Sequence, residues 1–188
     1  MTLPPRPAET VSAVATDAGM LALWDPQSFT DIVDHDTWDL QLGEDEGVER
    51  HIRTGSLVPV NIRSDGAFGV LVRVGGLDQP VQLTERESRY RLVSSEAYLF
   101  CSSGQVWLGG IEAVGAEPWP GTAQFDLPVG RYSVVIHLIA WEDEAGSVNE
   151  DGTPSAAALP DFVALVTPAG PEQDMFRSDV ETFDHPDS

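Results

Sequence analysis

The stretch LPVGRYSVVIHLIAW (127–141) decides how the rest of the chain is read. Pro128 and Gly130 make a turn, and the residues after it alternate. Tyr132, Val134, Ile136, Leu138 and Ala140 fall on one face, and Ser133, Val135, His137, Ile139 and Trp141 on the other. A strand this apolar on both faces is central in a sheet and covered from both sides.

Working outward, other strands follow at short intervals. DFVALVT (161–167) is a later strand, and EAYLFCS (96–102) and QVWLGG (105–110) flank Ser103-Gly104 as a hairpin. LVPVNI (57–62) and AFGVLVRV (67–74) flank RSDG, whose Asp65-Gly66 is a tight-turn signal, and Phe68, Val70, Val72 and Val74 mark one buried face. TVSAVAT (10–16), DAG and MLALW (20–24) read as a first hairpin. In DPQSFTDIV (25–33), Asp25 is placed to cap, Pro26 takes the first helical position, and Phe29, Ile32 and Val33 share one side. Residues 43–56 fit either a loop or a short helix.

These signals predict an all-β, mainly antiparallel fold, a β-sandwich or partly open barrel of about nine strands with one or two short helices. Residues 1–9 are expected to be a flexible N-terminus, 10–167 a single β-sandwich domain, and 168–188 an acidic C-terminal tail that Met175, Phe176 or Phe183 would dock.

Charge narrows the function. Thirty-one acids face ten bases, for a net charge of −21, and all ten bases are arginines. Without lysine there is no P-loop, no kinase strand lysine and no Schiff base. Phosphate recognition rests on basic residues, so nucleic acid and anionic membrane are not the expected partners. A single cysteine, Cys101, excludes an internal disulfide and any paired-cysteine redox or zinc site. The start MTLPPRPAETVSAVATDAG lacks the basic-then-apolar order of a signal peptide, and VVIHLIAW (134–141) is too short to span a bilayer, so a cytoplasmic location is expected. A GC-rich or salt-adapted host would produce the same acidity with no partner at all.

Two acidic clusters carry aromatic anchors. In TDIVDHDTWDL (30–40) and the residues after it, Asp31, Asp34, Asp36, Asp39, Glu44, Asp45 and Glu46 surround Trp38. Further on, Trp141 adjoins Glu142, Asp143 and Glu144. An aromatic anchor inside a charged rim is a common way to concentrate binding energy, so these residues are the candidate partner-binding set. An EF-hand reading of 34–38 fails, because Trp38 replaces the third ligand and no glycine supplies the sharp turn. The simplest reading of 34–36 is a solvated turn. A looser metal site from Asp34, His35 and Asp36 is the alternative, as is an enzyme using His137 with Glu142 or Asp143 as its carboxylate. No GxSxG elbow or other nucleophile accompanies His137. Trp107, Trp119 and Trp141 read first as core and rim packing of a sandwich, with a sugar-stacking platform as the alternative. No catalytic residue, metal ligand or cofactor is assigned.

The order of features adds a resemblance. WDP (24–26), an aspartate-tryptophan, a DG turn, VWLGG, LPVGRYSVVIHL and LPDFVALV (159–166) resemble a group of uncharacterised bacterial β-proteins. More distantly they are similar to the competence protein family that inhibits a DNA-entry nuclease, and to β-rich immunity proteins of toxin systems. The resemblance implies a non-enzymatic protein that works by covering a basic partner, a toxin or a nuclease.

Overall fold

The computed structural model describes residues 8–184. The flexible stretch expected at 1–9 therefore lies outside the described residues except for Ala8 and Glu9, which open the first strand. In chain order the strands are β1 (Ala8–Thr16), β2 (Met20–Trp24), β3 (Leu57–Asn61), β4 (Gly66–Val74), β5 (Arg91–Ser94), β6 (Tyr98–Ser102), β7 (Gln105–Gly110), β8 (Ala123–Asp126), β9 (Gly130–Ile139) and β10 (Phe162–Pro168). Three short helices interrupt them: α1 (His35–Leu42), α2 (Asp45–Thr54) and α3 (Glu85–Arg89). Among the described residues the fold is mostly β, with ten strands in two sheets and no closed barrel.

Ten strands stand against the expected nine or so, and the two whose residues carry little periodicity are β5 and β8, of four residues each. The helix count also exceeds the expected one or two. α3 is announced by Thr84 and Glu87, which form a capping box in which each side chain takes the other's backbone N–H. The capping pair is written in the sequence as TERE (84–87). DPQSFTDIV becomes a single 3-10 turn, Pro26–Phe29, with Asp25 capping Gln27 as read.

Sheet one has the order β1-β4-β10-β9-β5, with β6 also on β9, and sheet two the order β3-β2-β7-β8. All pairs are antiparallel except β4 with β10. β9 is the central strand expected of 127–141. β10 takes one of its edges, and β6 and β5 follow one another along the other. Tyr132, Val134 and Ile136 enter the main core, which both sheets share through Trp24, Leu57, Leu108, Phe100 and Phe162. Ile139 and Trp141 enter a second cluster with Leu71 and Val163 on the opposite face.

None of the three expected hairpins forms a ladder. β1 and β2, β3 and β4, and β6 and β7 each lie in different sheets. A strand has two edges, and here they are taken by distant partners. β4 is held by β1 and β10, and β2 by β3 and β7. Asp65-Gly66 does turn the chain, but it turns it across the core rather than back along the sheet.

The outward face of β4 is covered toward the strand's C-terminal end, where Leu71 and Arg73 are buried. Arg73 sits against the equally buried Glu87 of α3 with both terminal nitrogens donating, at 2.8 Å each. Arg73 also donates to Glu9 at 2.8 Å and to the Gln82 carbonyl at 3.0 Å. Burial alone would raise the Glu87 carboxyl, but hydrogen bonds from Arg73 and the Thr84 backbone outweigh it and hold it below its ordinary value. The last described residues return to the core. Phe183 is buried edge-on to Phe162, Thr182 bridges Asn61 of β3, and Arg177 bridges Tyr98 of β6. Met175, by contrast, is exposed.

Removing one partner of a buried ion pair strands the other charge. Arg73→Met should lower the unfolding free energy in urea by about 3–5 kcal/mol. Arg73→Met with Glu87→Leu should recover most of that loss. Equal stability of the single variant and the parent protein would show that the pair does not hold α3 to the sheet.

Candidate functional site

The acidic run begins a helix rather than the solvated turn expected of 34–36. Asp34 is the N-cap of α1, accepting from Thr37 N at 2.9 Å and Thr37 Oγ1 at 2.7 Å. These two bonds hold its carboxyl below the usual carboxylate range. They also commit the carboxylate that a metal site would have used. Among the described residues, no group of three or more His, Cys, Asp and Glu gathers around a common point.

Trp38 and Leu42 lie one turn apart and face inward. Trp38 is half-buried, and its Nε1 donates to the Ile111 carbonyl at 3.1 Å, tying α1 to the segment that leaves β7. α2 buries Val48 and Ile52 and crosses close to α1. A Cβ at Gly47 would fall 2.2 Å from the Gln41 carbonyl oxygen, so only glycine permits that approach. The packing leaves Asp31, Asp34, Asp36, Asp39, Glu44, Asp45 and Glu46 all exposed. None of these seven has an ion-pair partner among the described residues.

Between the start of α1 and residues 112–119 lies a groove of about 550 Å³. Ile32, Val33, Trp38, Val114, Ala116 and Trp119 give it apolar walls, and Asp34, His35, Glu112 and Glu117 stand at its rim. Trp24 Nε1 donates to the Gly115 carbonyl at 2.9 Å and anchors one wall to the core. Trp119 is 55% exposed and Val33 76% exposed, so the groove is open. Glu112 is occupied elsewhere, accepting from Thr16 Oγ1 at 3.0 Å and Asp17 N at 2.9 Å. Of the three tryptophans that a sugar platform would need, Trp119 alone is exposed. That platform does not exist, because Trp107 and Trp141 are buried.

The second acidic cluster is placed differently. Trp141 is a core residue of the outer cluster, its Nε1 donating to Asp161 Oδ1 at 2.8 Å. Glu142 and Asp143 are exposed, while Glu144 accepts from Arg86 Nε at 2.7 Å. Trp38 packs with the main core and Trp141 with the cluster on the opposite face of sheet one. Of the seven acids in 31–46, Asp34 lines the groove and the others are exposed on α1, α2 and their approach, while none of 141–144 lines it.

His137 has neither expected carboxylate as partner. Its Nδ1 shares a 2.7 Å hydrogen bond with Ser94 Oγ, and its Nε2 is buried without a partner. Burial, reinforced by the charge of Arg91, pushes its pKa down to about 4. It is a neutral, packed imidazole, poorly suited to act as a base near neutral pH. Cys101 is half-buried, and burial pushes its thiol up, away from the reactive thiolate.

With this geometry in view, comparison with known proteins is informative about fold. No family model matches the chain, and no curated protein matches it. Two solved structures do. One is described as crocagin biosynthetic gene J, with a TM-score of 0.55 and 17% identity over 86% of this chain and 98% of that one. The other is ComJ from Bacillus subtilis, described as an inhibitor of the DNA-degrading activity of NucA. It has a TM-score of 0.52 and 10% identity over 88% of this chain and all of that one. The likeness is one of fold. It bears out, at that level, the distant resemblance to a nuclease inhibitor that the order of sequence features suggested.

The buried histidine makes a pH signature. Its unfolded pKa of 6.5 falls to about 4 on folding, so the unfolded chain binds the extra proton between those values. Stability from this group is complete above pH 6.5 and is lost as pH falls toward 4, by about 2–3 kcal/mol. His137→Gln should flatten that part of the pH–stability profile measured by urea unfolding. An unchanged slope would show that His137 is not buried neutral.

Proposed function

We propose that this protein is a non-enzymatic inhibitor or immunity protein of the bacterial cytoplasm, an open two-sheet sandwich that covers a basic protein partner. The observation that carries the reading is the set of seven exposed, unneutralised acids on α1, α2 and their approach, one of which, Asp34, lines an open apolar groove. A nuclease must gather Lys and Arg where it holds phosphate, and a surface of this sign and size opposes such a face. The fold likeness to ComJ, described as inhibiting a nuclease, supports a nuclease as the partner class. In the second cluster, Glu144 is already neutralised by Arg86 and Trp141 is buried, so 141–144 is assigned a structural part rather than a place in the interface.

Charge of this kind acts mainly on the association rate and is screened by salt. The protein, immobilised and challenged with lysate of its own host at low salt, should retain a basic protein near stoichiometrically. That protein should cleave DNA, and the free acidic protein should suppress the cleavage. Asp34 caps α1, so its reversal would mix folding with binding, and Asp31→Lys with Asp39→Lys is the cleaner pair. It should slow association about tenfold at low salt with little change in dissociation. An empty column, or a smear of weakly held basic proteins, would assign the charge to solvation in a saline or GC-rich host and end this reading.

A further inference from the structure

We propose that the groove between α1 and residues 112–119 seats one bulky apolar side chain of the basic partner, with a flanking arginine stacked on Trp119 and facing Glu117. The inference deepens the proposed function and rests on it. It starts from what the groove exposes. Val33 and Trp119 are two of the eight exposed large apolar residues among the described residues, and these two line the same cleft with Trp38. The cleft is also built. The polar edges of Trp38 and Trp24 are spent on the carbonyls of Ile111 and Gly115, which fixes these walls of the opening to the rest of the fold.

Charge chooses the occupant. The rim offers carboxylates at Asp34 and Glu117, with Asp31 and Asp36 close in sequence, while the carboxylate of Glu112 is turned to the β1–β2 connection. A second copy of a chain with net charge −21 would bring more acid to an acidic rim. A basic segment meets it with opposite charge. Arginine fits better than lysine beside an exposed indole and a carboxylate, because its planar guanidinium stacks on the ring and still presents paired donors. The apolar walls need a side chain of leucine or phenylalanine size to exclude the water.

The test uses a fluorescein-labelled, end-capped peptide Gly-Arg-Leu-Phe-Arg-Gly and its anisotropy on titration with the full chain at low salt. Saturable binding is expected, weakened about tenfold or more when Leu-Phe becomes Ala-Ala or when both arginines become glutamates. Lysines in place of the arginines should weaken it several-fold. Trp119→Ala should remove binding and Trp119→Phe should keep most of it, and Trp119 is exposed enough that both variants fold. Equal binding of the arginine and glutamate peptides would overturn the proposal in favour of an uncharged apolar ligand, and no saturation with any peptide would overturn it outright. Self-association that disappears in Trp119→Ala would give the groove to a second copy, and so also overturn it. Partner capture separates this inference from the reading beneath it. Capture undiminished by Trp119→Ala but lost with Asp31→Lys and Asp39→Lys would sink the groove and leave the acidic face standing. Peptide binding without any captured partner would do the reverse.

Discussion

Four short connections carry the chain from one sheet to the other, and they touch in pairs. The carbonyl of Gly19, between β1 and β2, accepts from Ile62 N at 2.9 Å and Arg63 N at 2.8 Å, in the connection between β3 and β4. Gly19 has φ +68, and a Cβ there would meet the Arg63 Cα at 3.2 Å, so both the conformation and the close approach require glycine. The second pair is joined in the same way. Leu127 N, between β8 and β9, donates to the Gly104 carbonyl between β6 and β7 at 3.1 Å, and Ser102 Oγ donates to the Leu127 carbonyl at 2.7 Å. Asp25 locks that corner to the end of β2. Its buried carboxylate accepts from Ser103 N at 2.8 Å and Ser103 Oγ at 2.7 Å, while its N–H donates to the Ser56 carbonyl at 3.1 Å. Such bonds to a buried charge are worth more than neutral ones and leave a costly orphan if broken.

With the short connections committed to crossing the core, pairing within a sheet falls to the long ones. β2 reaches its neighbour β3 only after α1 and α2, and β7 reaches β8 only after residues 111–122. These two excursions leave adjacent strands of sheet two, and the apolar groove forms where they meet, sealed on one side by the Trp38–Ile111 bond. The acids lie on the same excursions because those segments face water and have only one side to bury.

The strands that carry the core were legible because burial writes itself into alternation. Phe68 to Val74 and Tyr132 to Ile139 lie in strands as their alternation predicts, with β9 buried on both faces, whereas Ala140 and Trp141, expected to continue that strand, open a 3-10 turn beyond its end. Pairing was not legible. Asp65-Gly66 specifies a change of direction, and nothing in those two residues records that both edges of β4 are taken by segments far away. Arg73 shows the same limit, since an arginine in a strand marks an outward position, while only the packing of α3 makes that position buried. The acidic surface around Trp38 was visible from composition. The other wall of its groove was not, because Trp119 lies within EPWPG (117–121), a stretch of irregular backbone with no period to betray which side faces the cleft.

The crossing turns also set the order in which the molecule can assemble. A chain with true hairpins can nucleate on one turn and zip outward, each rung closing a small loop. Here the strands on either side of each short turn do not pair, and β4 must wait for β10, the last strand made. Closing such distant loops costs entropy before any ladder repays it, which places this protein among slow, topologically complex folders. During that delay the strands of both sheets expose unpaired edges. A net charge of −21 bears on that stage whatever partner the folded protein meets, since like-charged chains repel and edge-to-edge association of incomplete sheets is opposed.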